Sequence, residues 1–419
     1  MQINRQLLLN ELISTQHNGM IKVITGLRRS GKSYLLFTLF YNYLLEQGVQ
    51  ADHIVCINLE DRRRIQLRNS DRLLAFIDSQ LKDSGQYYVF IDEIQHVPDF
   101  EDVLNSYLSM MNVDVYVTGS NAKFLSKDIL TIFRGRGHEI RVTPLSFKEF
   151  YSAKNGSISE GTALREYLVY GGLPKVVSYE NTRDKEKYLN NLFKSTYLLD
   201  IVERHKIKDD ADLAELTNIV ASSVGSLTNS IKLQNTFKSV KNSNISYGTI
   251  NHYLEMLENA FLIEKSVRYD IKGKRYINTP VKYYFSDCGL RNARIGFRQN
   301  EFTHLMENLI YNELCRRGYL VDVGNVEYNK EIDGKKVRLQ LEVDFVCNRG
   351  RERIYVQSAY SLPDEEKINQ ELRPLRLIND TFPKVVVVGG FTPSTTTQDG
   401  IHIINIIDFL LNDEFNSFY

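Results

Sequence analysis

Eight residues between an apolar run and a helical pattern restrict the fold of this chain more than any other stretch. They match the pattern G-x-x-x-x-G-K-[ST] and are Gly26, Leu27, Arg28, Arg29, Ser30, Gly31, Lys32 and Ser33. The β-branched run at 21–25 predicts a buried strand before this turn, and residues 33–40 continue as a helix. Glycines let successive backbone N–H groups point inward at phosphate oxygens, and the helix N-terminus adds partial positive charge. These eight residues and Tyr34 therefore predict a phosphate-binding loop (P-loop), in which Lys32 reaches the β- and γ-phosphates and Ser33 binds Mg²⁺.

A second apolar run, residues 87–91, ends in two carboxylates, Asp92 and Glu93. A parallel sheet would deliver Asp92 to its carboxyl-terminal edge, where it can hold the hydration shell of Mg²⁺. Glu93 is then placed to orient and polarise an attacking water. A strand that ends in exposed acids is common by itself, but the pairing with a P-loop favours a Walker B strand. The expected ligands of Mg-ATP are thus the P-loop, with Ser33 and Asp92 at the metal.

The next strand pattern, residues 113–118, leads into a polar turn. Asn121 or Ser120 is expected to contact the γ-phosphate or its water, and simple turn chemistry is the alternative for both. An arginine after the following helix can act as a finger on a γ-phosphate, in cis or across subunits. Arg136 is the first choice for this role and Arg134 the second.

Composition limits the protein class only loosely. At 419 residues the chain exceeds the usual size of one domain. Lys plus Arg and Asp plus Glu both number 52, so net charge gives no reason to expect a dedicated nucleic-acid partner. The four cysteines are scattered, which argues against a zinc site and fits a reducing compartment. Without a signal-peptide pattern or a long apolar window, a cytoplasmic protein without membrane spans is expected.

The motifs together resemble those of the prokaryotic AAA-type ATPases that carry a C-terminal domain of unknown function. Besides the P-loop, the matching stretches are 90–95, 118–122, 134–136, 144–150 and the Gly-Gly-Leu-Pro element within 170–174. The resemblance implies an α/β fold: a P-loop NTPase parallel sheet with a helical lid, followed by a winged helix and a restriction-endonuclease-like domain. The corresponding domain boundaries are 1–150 for the ATPase core, 151–208 for the lid, 209–290 for the winged helix and 291–419 for the PD-(D/E)XK-like domain.

The predicted winged helix has two open interpretations. Its helices are expected at 211–224, 230–240 and 247–260, with a two-stranded wing at 261–267 and 282–285. One interpretation puts helix 247–260 in a DNA major groove, with the basic tip of the wing on phosphates. However, that helix carries Glu255 and Glu258, so docking to a protein partner or a role as a spacer is equally open.

The last region resembles the PD-(D/E)XK nuclease core, in which carboxylates and a lysine hold Mg²⁺ and activate water. Glu307, Asp344 and Gln357 match that pattern by position, but Ala359 stands where the lysine should be. The loss of that charge predicts an inactive nuclease whose fold is kept for binding.

The sequence thus predicts an ATP-binding and ATP-hydrolysing AAA-type ATPase. It would act as a nucleotide-gated switch whose C-terminal modules bind a protein or DNA partner, and both a monomer and an oligomer fit the sequence. The alternative is a DNA-binding regulator with a structural or very slow nucleotide site. A third hypothesis, a metal-dependent nuclease driven by an ATPase, is disfavoured by Ala359.

Overall fold

The computed structural model describes most of the chain as two compact units. The described residues are 3–119, 133, 135–207, 210–241, 245–298, 301–332, 335–390 and 392–412. The N-terminal unit comprises residues 1–144 with 259–261, and the C-terminal unit comprises residues 145–258 with 262–419. The finer four-domain division drawn from the sequence remains a prediction.

The N-terminal unit alternates strands and helices. Its α-helices are α1 (Gln6–Ser14), α2 (Lys32–Tyr34), α3 (Tyr41–Glu46), α4 (Ser70–Gln80) and α5 (Phe100–Tyr107). Its strands are β1 (Ile21–Thr25), β2 (Ile54–Asn58), β3 (Tyr87–Asp92), β4 (Val113–Thr118) and β5 (Gly137–Arg141). A π-helical segment (Leu35–Phe40) joins α2 to α3, and 3₁₀ turns lie at Ala51–His53, Arg62–Arg68 and Ile94–His96.

Within the described ranges, the five strands of this unit form one parallel sheet in the order β2-β3-β4-β1-β5. Every residue of β1, β3 and β4 is buried. This explains why these strands read as continuous apolar runs, because a parallel sheet is covered on both faces. The strand order brings the carboxyl ends of β1, β3 and β4 to one edge, where parallel α/β sheets bind ligands. The expected P-loop NTPase fold of this part is confirmed.

The C-terminal unit begins with helices and continues into a large sheet. Its helices are α6 (Phe147–Ala153), α7 (Glu160–Tyr170), α8 (Pro174–Val177), α9 (Thr182–Leu192), a π-helical segment (Phe193–Leu198), α10 (Leu199–His205), α11 (Asp210–Ser222), α12 (Ser230–Lys241), α13 (Tyr247–Asn259), α14 (Cys288–Arg294), α15 (Phe302–Arg316), α16 (Glu365–Arg376) and α17 (Ile406–Leu411). Its strands are β6 (Ile263–Asp270), β7 (Arg275–Phe285), β8 (Leu320–Ile332), β9 (Lys335–Arg349), β10 (Glu352–Ala359), β11 (Lys384–Val388), β12 (Thr395–Thr396) and β13 (His402–Asn405).

Among the described residues of this unit, these strands form one mixed sheet in the order β12-β13-β11-β10-β9-β8-β6-β7. The hairpin predicted as a wing exists as β6 and β7, which pair antiparallel. It does not stand alone, because β6 also pairs in parallel with β8, with Arg268 opposite Val323. The sequence did not predict β8, whose backbone groups extend the sheet across the expected boundary at residue 290. A separate winged helix and an endonuclease-like domain are therefore not confirmed.

Close approach to Asp287 explains the glycine at Gly171 in the Gly-Gly-Leu-Pro element. The buried Asp287 carboxylate accepts hydrogen bonds from the N–H groups of Gly172 (2.7 Å) and Leu290 (3.0 Å). Gly171 has a φ of +73°, and a Cβ there would lie 2.1 Å from an Asp287 carboxylate oxygen. Only glycine allows this approach. Burial raises the pKa of Asp287 to about 6, while the backbone N–H groups oppose the shift.

Candidate nucleotide site

The carboxyl-terminal edge of the parallel sheet gathers the motif residues of the N-terminal unit. Strand β1 leads directly into the P-loop, β3 ends at Asp92, and β4 ends at Thr118. Neighbouring strands lie about 4.8 Å apart, so side chains at adjacent strand ends can meet. The site is therefore built from three strand ends and one loop.

The P-loop backbone requires glycine at Gly26. Its φ is +123°, and a Cβ there would lie 2.2 Å from the carbonyl oxygen of Val142. Gly31 also has a positive φ, +102°, and directly precedes α2. The non-glycine residue Arg29 adopts a φ of +67° between them. This curled backbone is the geometry that directs N–H groups into a concave anion site.

Arg5 supports the loop from outside the motif, and the sequence analysis did not identify it. Arg5 is 3% exposed, and its guanidinium donates to the carbonyl oxygens of Ser30 (3.1 Å) and Thr143 (2.9 Å). These bonds join the P-loop to the segment after β5. Since Arg5 precedes Thr143 by 138 residues, no local sequence pattern could have indicated the contact.

Lys32 is buried, and its ammonium is held by the loop itself. The Nζ atom donates to the carbonyl oxygens of Gly26 (3.0 Å) and Leu27 (3.2 Å). Burial lowers the pKa of Lys32, and the negative charges of Glu93 and Asp92 partly oppose that shift. Carbonyl oxygens are weaker partners for an ammonium than phosphate oxygens. The lysine is thus placed to exchange these partners for an anion.

Ser33 and Asp92 are in direct contact, as a shared metal ion requires. The Ser33 hydroxyl lies 3.0 Å from both carboxylate oxygens of Asp92. Thr118 donates a hydrogen bond of 2.5 Å to the same carboxylate. Burial is the main cause that raises the pKa of Asp92, and the two hydroxyl groups oppose it. Perturbed carboxylates in clefts are characteristic of functional sites.

Glu93 follows with a strained backbone. Its φ is +56°, in the left-handed region that non-glycine residues rarely adopt. The Glu93 N–H donates to the Thr118 hydroxyl (3.0 Å), and the Gln95 amide contacts the Glu93 carboxylate. One hydroxyl group, that of Thr118, therefore contacts both the Asp92 carboxylate and the Glu93 backbone. Its position at the end of the strand beside Walker B was the signal that could have identified it.

The remaining predicted residues are only partly brought to this edge. The Arg28 guanidinium lies 3.6 Å from the Glu60 carboxylate, and Glu60 follows the edge strand β2 by two residues. Arg136 is exposed, and its carbonyl oxygen accepts from the N–H of Ile21 at the opposite end of β1. One five-residue strand, roughly 16 Å, thus separates Arg136 from the P-loop edge. The predicted sensors Ser120 and Asn121 and the second finger candidate Arg134 lie outside the described residues.

The residues present fit a magnesium nucleotide. Within the described ranges, the buried Ser30 hydroxyl in the loop has no hydrogen-bond partner. A buried polar group without a partner is costly, and a bound phosphate would satisfy it. A hydroxyl and a carboxylate in contact are oxygen ligands of the kind that Mg²⁺ takes. Lys32 would add the positive charge for the phosphates.

A second polar cluster lies in the C-terminal unit, among the residues matched to the nuclease pattern. Glu307 and Asp344 are brought close together, and Gln357 accepts from the backbone N–H of Asp344 (3.2 Å). Ala359 is buried in the apolar core, so no charge comes from that position. Lys282 on β7 supplies an ammonium instead. In the described part of the chain, no group of three or more His, Cys, Asp or Glu residues could hold a metal ion.

The fold and the site define the N-terminal unit as a P-loop ATPase domain of the AAA type. An AAA domain family matches residues 18–151, and a domain of unknown function, DUF8612, matches residues 161–301. The chain belongs to one family with a protein of Haemophilus influenzae, described as uncharacterized, which is 37% identical over 413 residues and covers 98% of both chains. An uncharacterized protein of Methanocaldococcus jannaschii is 29% identical over 405 residues, covering 93% of this chain and 87% of the relative.

Two solved structures are similar at low identity. A Walker-type ATPase of Pyrococcus abyssi is 15% identical with a TM-score of 0.49, covering 70% of this chain and 96% of that one. The ORC1 protein of Aeropyrum pernix, solved in complex with DNA, is 12% identical with a TM-score of 0.28, covering 70% and 92%. The class assignment therefore rests on strand order, site geometry and the family match. Among the described helices, none has the length and apolar character needed to cross a membrane.

Proposed function

We propose that this protein binds Mg-ATP at the edge of its parallel sheet and hydrolyses it to ADP and phosphate. The observation that carries the proposal is the contact between the Ser33 hydroxyl and both carboxylate oxygens of Asp92, each at 3.0 Å. These groups come from the P-loop helix and the neighbouring strand end. Such a pair at the mouth of a P-loop is the arrangement that holds magnesium beside a triphosphate.

The P-loop residues bind and orient the triphosphate. Lys32 exchanges the carbonyl oxygens of Gly26 and Leu27 for oxygens of the β- and γ-phosphates. Ser33 and Asp92 would hold Mg²⁺, which would neutralise charge on those phosphates. Arg5 holds the Ser30 carbonyl group from behind the loop, so the loop keeps its curvature during the exchange.

Glu93 acts on the attacking water. Its carboxylate accepts a proton from the water while the water oxygen forms a bond to the γ-phosphorus. The bond from that phosphorus to the bridging oxygen breaks, and its electron pair leaves with ADP. Thr118 holds the backbone of Glu93 next to Asp92, because its hydroxyl accepts from the Glu93 N–H and donates to the Asp92 carboxylate.

Two further roles complete the proposed site. Asn121 or Ser120 contacts the γ-phosphate or its water, as their place after β4 implies. Arg136 contacts the γ-phosphate of a nucleotide that is bound by another copy of the chain, since it lies at the amino-terminal edge of its own sheet, opposite the P-loop. This assignment makes the active form an oligomer.

The C-terminal unit would report the nucleotide state to a partner. The exposed hairpin tip carries Lys272 and Lys274, which favours a second candidate function, a DNA-binding regulator with a structural or very slow nucleotide site. In the nucleotide-gated switch, the partner can also be a protein. The switch and the DNA-binding regulator are distinguished by whether binding of duplex DNA depends on salt and on nucleotide.

The test is Mg²⁺-dependent phosphate release by the full chain, with and without duplex DNA. We expect steady turnover that disappears in Lys32→Ala and Glu93→Gln but persists in Lys187→Ala, which changes an exposed lysine. Glu93→Gln should still bind a fluorescent ATP analogue, whereas Lys32→Ala should not. Turnover that survives both changes would refute the assigned roles, and salt-dependent duplex binding without turnover would favour the regulator.

A further inference from the structure

The C-terminal unit contains an ammonium group surrounded by three carboxylates. The Lys282 Nζ atom on β7 lies 2.8 Å from Glu307 on α15, 2.6 Å from Glu342 on β9 and 3.7 Å from Asp344 on β9. The Lys282 side chain is 3% exposed. We call these four residues the Lys282 cluster. It joins a helix and two strands through one positive charge.

The oxygens of the cluster have other partners as well. Tyr284 donates to the same Glu307 oxygen that Lys282 contacts (2.7 Å). The Ser358 N–H donates to the second oxygen of Asp344 (2.8 Å). A metal ion bound to Oε1 of Glu307 or Oδ2 of Asp344 would have to displace donors that are already in place. Each displaced donor would lose its hydrogen bond in a buried environment, which is unfavourable.

The charge of Lys282 also opposes a metal ion. Its Nζ atom lies 2.8 Å from Glu307 and 2.6 Å from Glu342, with Asp344 at 3.7 Å, and neighbouring acids favour the charged form of a lysine. A divalent cation at the same carboxylates would lie within a few ångströms of this ammonium and be repelled by it. The geometry already satisfies the acids with a cation from within the chain.

We propose that Lys282 is the built-in cation of this carboxylate cluster, so that the C-terminal unit keeps a nuclease-like arrangement of acids without binding a divalent metal there. The lysine missing at Ala359 is not replaced by a catalytic one. Lys282 instead occupies the place that a metal would need. The unit therefore acts on its partner by binding, and phosphodiester bonds remain intact. This inference does not depend on nucleotide binding by the N-terminal unit.

The first test measures Mn²⁺ binding by electron paramagnetic resonance in the full chain without nucleotide. Asp92→Asn is included in every sample, so that the N-terminal carboxylate does not contribute. We expect no Mn²⁺ bound at the cluster when Lys282 is present. Lys282→Met, which has a similar shape and no charge, should gain one site, and adding Glu307→Gln should remove it. A stoichiometric Mn²⁺ site in the Lys282 protein that disappears in Glu307→Gln would overturn the proposal.

The second test uses the loss of folding stability in Lys282→Met as its signal. Lys282→Met alone leaves buried acids without their cation, and should lower the folding equilibrium constant by about a hundredfold or more. Lys282→Met with Glu307→Gln removes one charge of each sign and should recover part of that loss, since the pair is coupled. Additive losses would contradict the proposal. Metal-dependent plasmid cleavage that is lost in Asp344→Ala would contradict it too.

Discussion

The two carboxylate sites of this protein handle their charge in opposite ways. At the sheet edge of the N-terminal unit, Asp92 is met by hydroxyl groups, and the nearby lysine, Lys32, donates to loop carbonyls. In the C-terminal unit, Glu307 and Asp344 surround the ammonium of Lys282. Each site contains a buried lysine and at least one buried acid. Only the second lets them pair directly.

The difference indicates which site needs a ligand. Hydroxyl groups and carbonyl oxygens are exchangeable partners, so the edge site can accept a cation and an anion together. An ion pair that is already complete gains little from a further ion and loses its own contacts. The arrangement of the partners, more than the list of acidic residues, separates a binding site from a structural cluster.

The same substitution at the two lysines should have very different effects on stability. We expect Lys282→Met to lower the free energy of unfolding by about 3–5 kcal/mol, because it leaves buried carboxylates without a cation. Lys32→Met should change it by less than about 1 kcal/mol, since burial already disfavours that charge. Urea unfolding of the full chain, followed by tyrosine fluorescence, measures both. Equal losses would remove the distinction between the sites.

A second comparison isolates the shape of the edge site. Gly26→Ala should lower the free energy of unfolding by about 1–3 kcal/mol more than Gly19→Ala, and it should abolish binding of a fluorescent ATP analogue. Both residues have a positive φ, but only at Gly26 would the added Cβ meet a backbone oxygen. If the two variants behaved alike, close approach at Val142 would not govern the loop.

The hydroxyl groups of the edge site should matter for turnover more than for folding. Thr118→Val keeps the side-chain shape but removes the donor to Asp92 and the acceptor for the Glu93 N–H. We expect kcat for ATP hydrolysis to fall by about 10–100-fold, with a smaller change in KM. Thr118→Ser should retain most of the activity. A change in KM alone would contradict the positioning role.

Asp287 is a third buried acid that can be compared with these two sites. Its described hydrogen-bond donors are backbone N–H groups. Its pKa is raised to about 6 in the folded protein from an ordinary value of 3.8. A raised pKa means that the folded state binds the proton more tightly, so this contribution to stability is lost as pH rises through 6. When the pH falls from 7 to 5, the free energy of unfolding of the wild type should rise by about 1.4 kcal/mol relative to that of Asp287→Asn.

The measurement is urea unfolding at both pH values and constant ionic strength. Asp364→Asn serves as the control, because Asp364 is an exposed N-cap of α16 that accepts from the Lys367 N–H. Asparagine also caps helices well, so this control should differ little from wild type at either pH. A relative gain toward higher pH would reverse the assigned direction.

Local patterns were sufficient to predict much of the N-terminal unit. The strands at 21–25, 87–92 and 113–118 are buried on both faces, and such strands read as apolar runs of the right length. The contact between Ser33 and Asp92 was expected because a P-loop motif was paired with a strand that ends in Asp92. Whether the P-loop and Walker B residues act as proposed stays a prediction.

Contacts between distant residues could not be predicted in this way. Arg5 and Thr143 are 138 positions apart, and nothing in the P-loop motif specifies what lies behind it. Lys282 lies 25 positions before Glu307, on a strand that was expected to belong to a separate wing. The pairing of β6 with β8 carries that strand into the large sheet. Pairing and burial, which depend on the whole fold, decide these contacts.

Arg5 also has a practical consequence. A shortened version of this protein that began at residue 6 would retain the entire nucleotide-binding motif, yet the carbonyl groups of Ser30 and Thr143 would lose the guanidinium that connects them. Weak nucleotide affinity in such a fragment would then reflect a missing brace behind the loop. Tags and truncations near the first residues should therefore be chosen with that side chain in mind.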